Sequence, residues 1–176
     1  VDKMAPKTTT NILDAIFVGT SDGFQLGMNV AAMLISFIAL VAMVNFLVAK
    51  ITFLVTGTAI SFEDIIGYIF SWVALLLGIP GKESVAAGTI IGKKLIINEF
   101  VAYIDLVGSA FSERTTAILT YALAGFSAIP SIGIQIGGIG ALAPTRVKDL
   151  TELGVKALLG GMLANLLSAA IVSLIL

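Results

Sequence analysis

Long uncharged stretches alternate with short polar segments along the chain, and two of these stretches predict membrane-spanning helices. No charged residue occurs from Leu26 to Ala49, a run of 24 positions, where about 20 are enough to cross a bilayer. The last uncharged run, Ala157 to Leu176, has 20 residues and predicts a second span. Asn165 lies near its middle, where an amide side chain commonly bonds to a neighbouring helix.

The residues before the first span mix apolar and polar positions. Residues 1–25 are expected to form a polar N-terminus followed by a short amphipathic helix at the membrane interface. Gly19, Gly23 and Gly27 are expected to loosen the end of that helix, because glycine weakens helices. The spanning helix is then assigned to residues 26–56, as a scaffold element.

A third helix is expected to begin after Ser61. Serine is a favoured N-cap, and Glu63 and Asp64 fall in the first turn, where acids are enriched. The uncharged run from Ile65 is only 17 residues long. That length favours an interfacial helix over residues 60–78 rather than a full span.

Polar groups then interrupt an apolar stretch near its middle. One spanning helix would place them close to the bilayer centre, whereas two half-length helices folded back on each other would place them at a hairpin tip. Such a tip must be buried in protein or line a wet cavity. We favour a re-entrant hairpin over residues 80–111. The interrupting residues are Lys93, Lys94, Asn98 and Glu99.

Glu99 is the costliest of these groups to place in a membrane. A charge at a helix centre costs about 2.5–3.5 kcal/mol on insertion scales. Glu99 therefore either faces a ligand, water or protein, or it lies near the interface and pairs with Lys93 or Lys94.

The next uncharged run, Thr115 to Thr145, is too long for one straight span. Its 31 residues would reach about 46 Å at roughly 1.5 Å per residue. We expect a discontinuous helix over residues 113–142, because Pro130 removes a backbone hydrogen bond and clashes with the preceding turn. The break either binds an ion or polar ligand or is a simple kink satisfied by neighbouring helices. A last helix follows at residues 147–176.

Composition agrees with a membrane protein and limits the chemistry available. The chain is 58% hydrophobic and 12% charged, and it has no Cys and no His. Thiol and imidazole chemistry are therefore excluded, and no acid–base pair is evident, so we predict that the protein is not an enzyme. A net charge of −1 gives no reason to expect nucleic acid. The elements predict an all-α integral membrane fold that forms one half of an inverted-repeat transporter, with residues 60–176 in the transport domain.

Several motifs resemble the C-terminal half of concentrative nucleoside transporters, and the resemblance covers essentially the whole chain. The resemblance implies a homotrimer in the cell inner membrane that moves nucleosides inward with sodium, or with protons in some members. Its transport domain would slide past a scaffold, as in an elevator. The motifs are Asn-Glu-Phe-Val-Ala-Tyr at 98–103, Ser-Glu-Arg at 112–114, Tyr-Ala-Leu-Ala-Gly-Phe at 121–126, Ser-Ile-Gly-Ile-Gln-Ile-Gly-Gly at 131–138 and Ala-Pro at 143–144.

The resemblance also assigns roles to individual residues. Glu99 would accept hydrogen bonds from the ribose hydroxyls, since an ionised carboxylate is an acceptor only. Phe126 would pack against the nucleobase, and Ser131 would reach the ribose. Asn98 belongs to the same substrate-binding set. Ala128 stands where the family usually has an Asn that contacts ribose, which removes one hydrogen bond to the sugar.

One part of the family pattern has no counterpart among these residues. The family's first hairpin carries the Gln, Thr and Glu that read the base, with the sodium site beside it. We therefore expect no cofactor in this chain, sodium bound by an N-terminal half, and a chain that is part of a longer polypeptide or works with a separate N-terminal half. The alternative function is a non-transporting membrane subunit or fragment that keeps the fold.

Overall fold

The computed structural model describes residues 10–142 and 144–176, and all the regular secondary structure in those ranges is helical. This confirms the predicted all-α class. A 3-10 turn, Pro144–Arg146, joins the last two α-helices. The expected polar N-terminus lies outside the described residues over positions 1–9. The helices are α1 Ile12–Thr56, α2 Phe62–Leu76, α3 Gly81–Ile96, α4 Glu99–Val107, α5 Glu113–Leu123, α6 Ile129–Leu142 and α7 Val147–Ile175.

Helix α1 is continuous over 45 residues. The expectation of a short separate helix that loosens before residue 26 is therefore wrong. Gly19 and Gly23 lie within the helix, and each costs only about 1 kcal/mol of helix propensity, which a long helix absorbs. Asn11 begins the helix by accepting a hydrogen bond from the Asp14 amide at 2.8 Å. Gly57 ends it in the left-handed region, with φ 75°.

Two helical segments of the described chain are long and apolar enough to cross a membrane. They are Ile38–Thr56 and Val147–Ile175, and both leave most of their surface uncovered by protein. The pair α2 and α3, bent by 117° at the turn between them, is a third candidate if it is counted as one broken span. An apolar surface of this kind needs lipid or protein against it, which confirms the integral membrane class.

Helices α2 and α3 share the most extensive helix–helix contact among the described residues. Glycines line their interface, so the two backbones approach without intervening side chains. A Cβ atom added at Gly88 would lie 2.5 Å from the Gly67 carbonyl oxygen and 2.6 Å from the Ser71 nitrogen. Close approach of this type is typical of small residues between membrane helices.

A small apolar core lies beneath this pair and draws on α2, α3, α4, α5 and α7. Arg114 stabilises the edge of this core, because its guanidinium donates to the Gly78 carbonyl at 2.6 Å and to the Ser173 carbonyl at 2.9 Å. The bend between α2 and α3 is thereby tied to the end of α7. The buried apolar members are Ala74, Leu77, Ile79, Ala87, Ile90, Ile91, Ala102, Leu106, Ile118, Leu119, Ala122, Leu123 and Ala169.

The helix expected over residues 113–142 is interrupted between α5 and α6, at residues 124–128. Pro130 has a different role from the one expected. It lies in the first turn of α6, where a missing N–H costs nothing and a fixed φ favours helix initiation. Proline therefore starts the second half-helix and does not clash with a preceding turn.

Candidate functional site

The hairpin tip is built by two capping interactions. Helix α3 ends at Ile96, and the amide of Ile97 donates to the Lys93 carbonyl at 2.8 Å. Asn98 then caps α4, its Oδ1 accepting from the Val101 amide at 2.9 Å. The chain thus reverses at residues 97–98 and places Glu99 in the first turn of α4, where the helix dipole favours a negative charge.

Glu99 has a carboxylate oxygen that is buried and unused. Its Oε2 is shielded from solvent and has no hydrogen-bond partner among the described residues. Among the described residues, neither Lys93 nor Lys94 forms an ion pair with Glu99. The interpretation of Glu99 as the simple ion-pair partner of one of these lysines is therefore wrong.

Lys93 has other partners. Its ammonium lies 2.8 Å from Glu63 on α2 and 2.7 Å from Asp105 on α4, with these side chains 20–33% exposed. Glu63 in turn accepts from Asn45 on α1 at 2.9 Å. This series of polar contacts, which runs from Asn45 through Glu63 and Lys93 to Asp105, therefore connects the first four helices. The sequence did not identify the pairs that Lys93 forms, although charges in an apolar stretch already indicate that partners exist.

The hairpin also holds the end of α5. The Ala124 amide turns back to the Tyr121 carbonyl at 3.3 Å, which leaves neighbouring carbonyls for side chains. The Tyr103 hydroxyl donates to the Thr120 carbonyl at 2.7 Å, and the Lys94 ammonium donates to the Ala122 carbonyl at 3.0 Å. Two donors from α3 and α4 thus satisfy the last turn of the half-helix that precedes the break.

A small cavity opens at the break itself. Its volume is about 30 Å³, and it is lined by Phe126, Ala128 and Ser131 together with Gln135 and residues of α7. Phe126 is 57% exposed, whereas Ala128 and Ser131 are buried. Three of the five predicted site residues therefore meet at one cavity. Gln135 was not among them, although its position one helical turn after Ser131 places both on one face.

A side chain of α7 stabilises the break between α5 and α6. The Asn165 amide donates to the Ser127 hydroxyl at 3.0 Å, and its head group fills the space beside Gly125. Asn165 bonds to another part of the fold, as expected, but its partner is the irregular segment between α5 and α6 and not a helix.

The five predicted residues fall into two groups. Glu99 and Asn98 lie at the hairpin tip, and the others lie at the break, with the end of α5 between the two groups. Within the described ranges no cluster of three or more acidic side chains converges as a metal site would require. The tip offers a buried acceptor oxygen, and the break offers an exposed aromatic face and a hydroxyl.

The fold and these polar groups define a helical membrane protein in which polar side chains gather at two helix interruptions. The chain belongs to the Na⁺-dependent nucleoside transporter family: the family's C-terminal region, described as "Na+ dependent nucleoside transporter C-terminus", matches residues 1–173. It is a multi-pass protein of the cell membrane.

Curated relatives support this assignment. The chain is 46% identical to "Uncharacterized transporter YutK" of Bacillus subtilis, covering 92% of this chain and 40% of the relative. It is 36% identical to "Nucleoside permease NupC" of Helicobacter pylori, covering 93% of this chain and 41% of that protein. Human "Solute carrier family 28 member 3" is 33% identical over 98% of this chain and 28% of its own length. The chain spans less than half of each of these relatives.

Solved structures show the same fold. CNTnw "in an inward-facing substrate-bound state" matches with a TM-score of 0.81 and 37% identity, over 99% of this chain and 44% of that one. A CNTnw variant in an "intermediate 3 state" matches with a TM-score of 0.88 at 37% identity, over 99% of this chain and 45% of that one.

Proposed function

We propose that this chain supplies the ribose-binding half of a sodium-coupled nucleoside transporter. The observation that carries the proposal is the buried Oε2 of Glu99, which lacks a donor among the described residues. A buried carboxylate oxygen without a donor is costly, so a ligand that brings a hydroxyl donor to this oxygen binds more tightly. A vicinal diol offers two such donors to one acceptor-only group.

The cavity at the break supports the remaining contacts. Phe126 has an exposed aromatic face that suits a nucleobase. Ser131 lies on the same cavity and offers a hydroxyl for the sugar. Ala128 offers no side-chain hydrogen bond, so this site binds the sugar with one contact fewer than the usual family pattern.

The rest of the transporter completes the proposal. The chain covers 40–45% of the two bacterial relatives and the two CNTnw structures described above, and we assign the base-reading hairpin and the sodium site to an N-terminal half. Helix α1 would be scaffold, and α2 to α7 would move past it with the nucleoside in an elevator-type step, within a homotrimer in the cytoplasmic membrane. The nucleoside crosses chemically unchanged, so the function is transport and not an enzymatic reaction.

Uptake of a uridine-like substrate tests this proposal. In proteoliposomes containing the transporter that carries this chain, an inward sodium gradient should drive uridine uptake, and equalising sodium should abolish it. Glu99→Gln should lower kcat/KM by about 10- to 100-fold, the range for losing hydrogen bonds to a charged group. The same variant should lose discrimination against 2′,3′-dideoxyuridine, which has no diol.

Glu113→Gln is the matched control. Glu113 lies in the first turn of α5 and is exposed, so the same chemical change there should leave uptake unaltered. Unchanged uridine uptake by Glu99→Gln would show that the carboxylate does not bind the sugar.

A further inference from the structure

The start of α2 is folded back along the end of α1 and is held there by two side chains. The Asn45 amide donates to the Glu63 carboxylate at 2.9 Å, and its oxygen accepts from the Glu63 backbone amide at 3.2 Å. The Thr52 hydroxyl accepts from the Ile60 amide at 2.9 Å. Three hydrogen bonds therefore join α1 to residues 60–63.

The packing of α1 on the other helices is light. Helix α1 contacts α2 and α6 much less extensively than α3 contacts α2, and Val41 is a buried residue on a helix whose described side chains are mostly exposed. By contrast, a Cβ atom added at Gly88 on α3 would lie 2.5 Å from the Gly67 carbonyl oxygen on α2. Helices α2 and α3 should therefore move as one body, and the weaker joint is the one between α1 and α2.

The connection between α1 and α2 could become longer without unwinding either helix. Gly57 ends α1 in the left-handed region, and α2 begins at Phe62. The connecting residues 57–61 could span about 17 Å if extended, at roughly 3.3–3.6 Å per residue. Opening the contacts of Asn45 and Thr52 would therefore allow α2 to move along α1.

Glu63 keeps a charged partner when its contact with Asn45 opens. Its carboxylate lies 2.8 Å from the Lys93 ammonium on α3. Because α2 and α3 move together, this ion pair stays with Glu63, and the contact that opens is one with a neutral amide. A carboxylate left without any partner in a membrane protein would be costly.

The two CNTnw structures described above differ within the region that this chain matches. At equal identity and equal coverage of this chain, the intermediate 3 structure matches with a TM-score of 0.88 and the inward-facing structure with 0.81. The corresponding helices are therefore arranged differently in those two structures.

We propose that Asn45 and Thr52 form a latch: their hydrogen bonds to residues 60–63 hold the transport segment, α2 to α7, in its present position beside α1, and they open when that segment moves. The inference rests on the proposed function, in which α1 is scaffold and α2 to α7 carry the nucleoside. A hydrogen bond is lost beyond about 3.5 Å, so the latch is closed over only a small part of any larger displacement.

Spin-label distances in the intact transporter test whether the latch opens. The chain has no Cys, and labelled cysteines at the exposed positions Leu54 and Trp72 would report the separation of α1 and α2. Two distances are expected. Asn45→Leu keeps the size of the side chain without its hydrogen bonds, and it should lower the ratio of the latched to the open population by about tenfold or more, since one bond is to a charged group.

Ser36→Ala is the matched control for that measurement. The Ser36 hydroxyl donates to the Ala32 carbonyl of the same helix at 2.8 Å, so its loss should leave the two populations unchanged.

A reversible crosslink tests whether transport requires the opening. Asn45→Cys combined with Glu63→Cys, joined by a short bis-thiosulfonate reagent, should abolish uridine uptake in proteoliposomes, and reduction should restore it. The control joins α2 to α3 through Ile66→Cys and Gly92→Cys, where a Cβ atom built at Gly92 lies 3.4 Å from the Ile66 Cβ, close to disulfide geometry. Oxidation of that pair should leave the uptake rate unchanged.

The outcomes separate the latch from the transport function. An unchanged uptake rate across the 45–63 crosslink, or one identical distance in the wild type and Asn45→Leu, would overturn the inference and leave the proposed function in place. If the crosslinking variant does not fold, the spin-label comparison decides the same question. A wild-type transporter that does not take up uridine would instead overturn the proposed function, and the label distances would still test the latch.

Discussion

Asn165 on α7 occupies the space that a side chain at Gly125 would need. The same amide donates to the Ser127 hydroxyl at 3.0 Å, so one residue both fills and bonds the irregular segment between α5 and α6. Helix α7 packs against both half-helices. It therefore acts as the brace that keeps the interruption in one conformation.

Gly125→Ala should displace the Asn165 amide and destabilise the fold. Forcing a methyl group into a filled site costs about 1–3 kcal/mol, which should appear as a lower apparent Tm of the detergent-solubilised transporter. Gly160→Ala is the control, because a Cβ atom there meets nothing within 4 Å. Equal Tm values for the two variants would contradict the bracing role.

Gly88→Ala should separate α2 from α3. The added methyl would meet the backbone of Gly67, Phe70 and Ser71, and backbone atoms cannot move aside as a flexible side chain can. We expect a loss of about 1–3 kcal/mol in the free energy of unfolding, measured by thermal or denaturant titration. Gly81→Ala, at the start of the same helix and with open space around it, should be neutral by the same measurement.

Lys93→Met should destabilise the hairpin by about 1–3 kcal/mol, because it leaves Glu63 and Asp105 without their shared partner. The figure is moderate because the three side chains are partly exposed. Lys82→Met on the same helix removes an exposed lysine and should change the apparent Tm little. A Lys93 variant as stable as the Lys82 variant would show that the ion pairs contribute nothing net.

Ala128→Asn should strengthen nucleoside binding. The new amide would enter the cavity beside Ser131 and restore one neutral hydrogen bond to the sugar, worth about 0.5–1.5 kcal/mol or roughly 2- to 12-fold in uridine KM. Ala128→Leu adds similar bulk without a hydrogen bond and should weaken binding. If the Asn and Leu variants bind uridine equally, the amide makes no contact with the sugar.

Local signals in the sequence located most of the helices. Ser61 is the N-cap of α2, as its position before Glu63 and Asp64 predicted. The side chains of Ser61 and Asp64 each accept a hydrogen bond from the other residue's backbone amide. The existence of the interruption followed from a run of uncharged residues too long for one span. These features depend on neighbours in the chain, which a sequence displays directly.

The errors and omissions have a common physical origin. Pro130 was read as a helix breaker, although proline is also a favoured first-turn residue, and only the position of the helix start decides between the two. Lys93 finds Glu63 through the packing of α2 on α3, and Lys94 finds Ala122 through the packing of α3 on α5. Such pairs depend on tertiary packing, which no local pattern specifies.

Helix α1 is unbroken, so a change of its tilt at one contact displaces its far end. Asn45 contacts α2 through Glu63, and about 50 Å of helix separates it from Ile12, at roughly 1.5 Å per residue. With no hinge in between, a tilt of about 10° at the Asn45 contact would swing the Ile12 end sideways by roughly 9 Å over that length. A small rotation of α2 relative to α1 about this contact therefore corresponds to a large displacement at the Ile12 end.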